Sequence, residues 1–192
     1  MSDWKQRLIR DLEPVLHERD PRPRLSAYHD MPFAIFVYPP AEEFSVREQV
    51  ALLRTRLSQG GKRVTTVSLA SCLEEALSAE GLAGPALAEA ERDSGLELTI
   101  ETAFSVLSEY QPLDQIVARH VPADADPTRD IVFLTRAGSL FPLYRTSALL
   151  EQLKGQFAVP AVLFYPGVTD GPAGLRFMGV LDAEHNYRPR IF

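Results

Sequence analysis

The segment from residue 33 to residue 69 constrains the fold of this 192-residue chain more than any other. It opens with six apolar residues, "FAIFVY" at 33–38, bounded by Pro32 and by Pro39-Pro40, a length and composition that suit a buried strand. Beyond the prolines, Val46, Val50, Leu53 and Leu57 recur at i, i+4, i+7 and i+11, the apolar stripe of an amphipathic helix. Glu42 and Glu43 stand where the helix dipole favours acids, and Gly60-Gly61 supply a stop. The β-branched run 62–69 then reads as a second strand. Strand, helix and strand of these lengths form a βαβ unit, so both strands are expected to run parallel with a right-handed crossover.

The rest of the chain extends that pattern. Trp4, Leu8, Leu12 and Val15/Leu16 lie on one face of a helix beginning after Ser2, with Pro14 as a potential kink. Residues 20–32 open with two X-Pro steps and read as an extended connector, so 1–30 form an N-terminal helix and connector. Residues 70–121 read as an acidic helical insertion. One stripe there runs through Ile100, Ala103, Phe104 and Leu107, and a second through Leu113, Ile116 and Val117 after Pro112. A central strand is expected at 130–136, a loop and helix at 137–155, and a strand over "VPAVLFY" stopping at Tyr165-Pro166-Gly167. A turn-rich link then leads to an antiparallel closing strand at 175–181, and the tail can pair at an edge. The expectation is one α/β domain over 1–192: a mostly parallel sheet flanked by helices with an antiparallel C-terminal edge strand, a P-loop-like topology.

That topology prompts a search for nucleotide chemistry, and the sequence lacks it. A phosphate loop needs glycines and a Lys-Ser/Thr pair opening a helix. After the first strand stands "PPAEEFS", with two prolines that lack N–H donors and two glutamates that repel phosphate. "GGKRVTT" enters a strand, and no G-x-G-x-x-G follows any strand. Cys72, the single cysteine, has no histidine near it in sequence and reads as a buried structural residue. His17, His29, His120 and His185 lack metal-ligand spacing, so neither a metal nor a cofactor is expected.

Charge narrows the partners. Residues 71–130 hold 13 acidic and 3 basic residues, whereas the rest of the chain holds 13 and 17. The acidic block does not attract DNA phosphates, so direct DNA binding is not expected. The longest apolar run falls far short of the roughly 20 residues that span a bilayer, and residues 1–13 are charged throughout, so a cytoplasmic protein without a membrane partner is expected. If the strands at 33–38, 130–136 and 159–165 are parallel, Tyr38, Arg136 and Tyr165 end at one edge. Glu42, Glu43 and Arg47 follow the first of these strands, and Tyr144 and Arg145 follow the second. Tyr38, Glu42, Glu43, Arg136, Tyr144, Arg145, Tyr165 and Arg176 form a candidate partner- or anion-binding set. An Arg–Glu network joining Arg136 or Arg145 to Glu42 or Glu43 accounts for the same residues structurally.

"YPPAEEFSVREQVALL", "VFLTRAGSLFPLYRTSALLEQLKG" and "VPAVLFYPG…GLRFMG" together resemble the BrxB family of bacteriophage exclusion (BREX) defence proteins. The resemblance spans most of 33–179 and implies a small accessory component of a multi-protein phage-resistance island. The family brings no catalytic motif to carry over. It implies the PglZ-like phosphatase-related protein of the island as a partner, then the large BREX ATPase, and leaves a homodimer open. The competing reading is a degenerate nucleotide- or nucleic-acid-sensing domain that uses Arg136, Tyr144, Arg145 and Arg176 to hold an anion.

Overall fold

A computed structural model describes residues 2–26, 32–156, 158–171, 174–185 and 187–192. Its centre is a six-stranded sheet built from β1 (Phe33–Tyr38), β2 (Arg63–Ser68), β3 (Asp130–Thr135), β4 (Ala161–Asp170), β5 (Gly174–Phe177) and β6 (Arg190–Ile191). The order is β2-β3-β4-β1-β6, parallel throughout, with β5 antiparallel to the far half of β4. The α/β class, the parallel sheet and the antiparallel strand are as the sequence predicts. The crossover from β1 to β2 passes over two strand positions, because β3 and β4 insert between them.

Side-chain alternation sorts the sheet into two faces. Phe33, Ile35, Val37, Val132, Leu134, Ala161, Leu163 and Tyr165 join one core. Ala34, Phe36, Tyr38, Ile131, Phe133, Val162 and Phe164 join the other. The first face is covered by α5 (Leu69–Ala79), a π turn at Val106–Tyr110, α8 (Leu113–Arg119) and α9 (Thr146–Gln152), giving Cys72, Leu107, Ile116 and Leu149 their burial. The second face is covered by α1 (Asp3–Arg7), a π turn at Leu8–Leu12, α2 (Glu13–His17), α3 (Arg22–Leu25) and α4 (Glu43–Gln59). Trp4, Leu8, Leu12, Leu16, Val46, Val50, Leu53 and Leu57 are buried there, so both apolar stripes read from sequence do their expected packing.

Four local expectations change. Pro14 does not end the helix: a π turn at Leu8–Leu12 stands immediately before it, and the chain stays helical through to His17. The connector contains a turn of helix, α3, because Pro21 caps it and Pro23 lies in its first turn; residues 27–31 lie outside the described residues. Phe104 is 47 % exposed, its ring stacked 5.6 Å from that of Tyr144, so it leaves the stripe that Ala103 and Leu107 complete. β4 does not stop at Tyr165-Pro166. It continues to Asp170, which pairs with Gly174. Pro166 is tolerated because β3 pairs with β4 only as far as Leu134–Leu163, so its missing N–H leaves no ladder bond unmade. The closing strand is correspondingly short, ending at Phe177.

The middle of the acidic stretch 70–121 is the least covered part of it. α6 (Pro85–Ser94) buries none of its residues, and α7 (Leu96–Ser105) buries Thr99 and Ala103. Among the described residues no helix is long and apolar enough to cross a membrane.

Candidate functional site

The carboxyl ends of β1, β2, β3 and the shared part of β4 lie along one edge, since Tyr38 is level with Pro166 and Ser68 with Thr135. In open α/β sheets this is the edge at which ligands bind. Two adjoining cavities, about 210 and 280 Å³, open there and share Glu43, Arg47 and Arg136. Val46, Val50 and Phe164 give the first an apolar floor, with Thr66, Thr135 and Arg54 at its sides. The second reaches Phe44, Ser139 and Met178. One stripe of α4 supplies Arg47, Ala51 and Arg54 at i, i+4 and i+7, beside the buried stripe of Val46, Val50 and Leu53.

The groove carries a net positive charge, three arginines against the single carboxylate of Glu43. Among the described residues, Arg47, Arg54 and Arg136 have no carboxylate within ion-pair distance; Arg47 lies 5.7 Å from the centre of the Phe44 ring. Several arginines elsewhere are paired: Arg56 with Glu13 at 2.6 Å, Arg63 with Asp130 and Asp124, and Arg176 with Asp170 at 2.9 Å. Glu43 is the carboxylate in the groove, and it accepts the buried Tyr38 hydroxyl proton in a hydrogen bond. Burial first, then the bond to Glu43 and its charge, holds the Tyr38 phenol far above its ordinary range, so it remains a neutral donor. Arg136 is also conformationally unusual. Its backbone is left-handed (φ 59°), a region that costs a non-glycine residue about 1–2 kcal/mol.

The residues singled out from sequence divide into separate places. Tyr38, Glu43 and Arg136 meet in the groove, joined by Arg47. Glu42 ends the 3-10 turn Pro40–Glu42 just outside it. Tyr165 faces the opposite side of the sheet, packed 5.9 Å from Tyr187 and 5.3 Å from Phe177. Tyr144 is on that side too, its hydroxyl donating to Gln152 Oε1 at 2.5 Å. Arg145 pairs with Glu184, which also accepts from the Tyr187 hydroxyl at 3.0 Å. Arg176 braces the hairpin through Asp170. The expected Arg–Glu network therefore forms with a different carboxylate, Glu184, which lies far along the chain and gives no local signal. Arg54, Thr66 and Thr135 enter the groove unannounced by the sequence, because only the docking of α4 over the sheet brings them there.

Burial, then the charge of Glu75, pushes the Cys72 thiol up to about 11, so it is a protonated core group and a poor nucleophile. Among the described residues no group of three or more His, Cys, Asp or Glu side chains could hold a metal ion.

Fold and groove together define a three-layer α/β domain with an uncompensated cationic cleft at the carboxyl edge of a parallel sheet. The particular group of proteins follows from comparison: residues 65–191 match the family described as BREX protein BrxB, and the chain belongs to that family. The BREX protein BrxB of Bacillus cereus (strain H3081.97) is 28% identical over 162 residues, covering 83% of this chain and 82% of that one. No solved structure matches the chain.

Proposed function

We propose that this protein is a non-catalytic accessory component of a cytoplasmic BREX phage-resistance system, and that it acts by binding another protein of that system through the groove at the sheet edge. The observation that carries this reading is the set of three uncompensated arginines, Arg47, Arg54 and Arg136, around an apolar floor with Phe44 76 % exposed at its mouth. Arginine and aromatic side chains with satisfied surroundings but no internal partner are the side chains that anchor protein interfaces. Family membership supplies the setting, and the PglZ-like protein of the same island is the first partner to test, the large ATPase the second.

Affinity purification of the full chain with each component tests the reading. Retention of either at moderate salt, lost when Arg47 and Arg136 are both changed to Glu, is the expected result. Retention of neither by the unaltered chain overturns it. A second reading, a nucleotide- or nucleic-acid-sensing domain, draws on the same three arginines, since guanidinium forks suit phosphate. A nucleotide at 100 times its dissociation constant would add about 2.7 kcal/mol of stability, readable as a thermal shift.

A further inference from the structure

We propose that the free edge of β2 and the arginine groove beside it form one docking site for an extended, acidic segment of a partner protein, which adds to the sheet as a further strand. This rests on the reading of the groove as a protein-binding face and specifies what it takes.

β2 is an outer strand that pairs with β3 alone. The Arg63 N–H donates to the Arg129 carbonyl at 2.8 Å, so positions 63, 65 and 67 face β3. The N–H and C=O groups of Val64 and Thr66 therefore point away from the sheet, and none of the described residues bonds to them. Natural sheets protect such edges with a central charge, a proline, a bulge or a covering element. The Val64-Thr65-Thr66-Val67 stretch has no charge and no proline, and Thr66 is exposed. The opposite edge is handled differently: β6 adds two residues beside β1, extended by Phe192, whose N–H donates to the Ile35 carbonyl at 2.8 Å.

Thr66 is also a wall of the groove, so the open edge and the cationic cleft are continuous. A chain laid along β2 gains backbone hydrogen bonds from Val64 and Thr66, and its side chains on one face meet Arg54, Arg47 and Arg136. Arg47 and Arg54 leave α4 two turns apart, about 10 Å along the axis. Stems spread in this way suit carboxylates carried at intervals on a chain. A single phosphate would instead call for converging backbone N–H groups, and the loop over the groove begins with Pro39-Pro40. Strand addition with pockets for alternate side chains is an established mode of peptide capture.

The test uses the full chain and a short fluorescent peptide alternating valine with aspartate and glutamate, its lysine counterpart, and a version N-methylated on alternate amides. The acidic peptide is expected to bind, with the lysine and N-methylated peptides weaker by at least about tenfold. Thr66→Pro should lower affinity similarly without changing the melting temperature, because the N–H it removes makes no ladder bond. Arg54→Glu should do the same. Equal binding by the N-methylated peptide or by Thr66→Pro overturns strand addition, and equal binding of the lysine peptide overturns charge recognition. No peptide binding, with ATP or inorganic phosphate raising the melting temperature instead, assigns the groove to a small anion and overturns the proposal. Failure here is distinct from failure of the broader reading. If the PglZ-like protein is retained by Thr66→Pro but lost on substituting the arginines, the groove still binds protein and strand addition alone is wrong.

Discussion

Tyr38 ends β1 and Tyr165 lies beside it in the adjacent parallel strand, yet their rings lie on opposite faces of the sheet. The register sets Tyr38 level with Pro166 and Val37 level with Tyr165, a one-residue offset that reverses the side-chain direction. Tyr38 thereby reaches Glu43 and the groove, and Tyr165 packs with Tyr187 and Phe177 beneath the other helical layer. The two similar sequence endings do unrelated jobs.

Replacing Tyr38 by Phe keeps the ring in its core and removes the hydroxyl. Because Glu43 is half-buried and can take up water, the cost should be small, about 0.5–1.5 kcal/mol in urea denaturation. Glu43 would then be free to pair with Arg47 or Arg136, so partner capture should weaken more than stability does. Equal loss of both, or no loss of capture, contradicts the role given to the tyrosine.

Arg136→Gly separates function from folding. Glycine adopts the left-handed backbone freely, and the strain it relieves offsets its greater freedom in the unfolded chain. Stability should be unchanged or higher by up to about 1 kcal/mol, while partner capture falls. A large drop in stability would show that the guanidinium has a structural partner.

Gly167 is held by its surroundings. A Cβ there would run into the Arg176 carbonyl and the Tyr165 ring, because the antiparallel strand crosses directly against the backbone. Gly167→Ala should destabilise the protein by about 1–3 kcal/mol through forced movement of the hairpin. Chemical denaturation measures it, and a change within about 0.5 kcal/mol would mean that the hairpin shifts freely.

Acid should unfold the protein through the loop before β3. Burial acts to raise the Asp130 carboxyl, but bonds from Arg63 and the Asp126 N–H, with the charges of Arg63 and Arg129, outweigh it and leave the group below its ordinary value. Asp124, held by Arg63, and Asp126, held by Thr128, are lowered as well. A carboxyl lowered by folding stabilises above its unfolded pKa, about 3.9, and that stability is lost as the pH falls through the folded value. The melting temperature should thus be level from neutrality to about pH 5 and fall steeply below pH 4. Asp130→Asn should lower stability at pH 7 by about 1–3 kcal/mol and flatten the acid limb, and an unchanged limb would place the acid sensitivity elsewhere.

Much of the fold is written locally. The six-residue apolar run at 33–38, the stripe of Val46, Val50, Leu53 and Leu57, and the β-branched run at 62–69 each state an element by periodicity, and their succession implies a parallel sheet. Half of the groove is legible in the same way, because Tyr38, Glu43, Arg47 and Arg136 all follow strand ends. Arg54, in the body of α4, and Thr66, within β2, carry no such mark.

The sequence alone thus determined the main strands and helices and the buried faces of the first helix and of α4, since these depend on neighbours within a few residues. Only the tertiary structure decided that β3 and β4 lie between β1 and β2, that Tyr165 faces away from Tyr38, and that Arg145 and Arg176 find carboxylates while Arg47, Arg54 and Arg136 do not. Strand order, register and the Arg145–Glu184 pair join residues tens of positions apart. Packing of the whole sheet chooses among partners that are locally equivalent, and among the described residues it leaves the three arginines of the groove without a carboxylate.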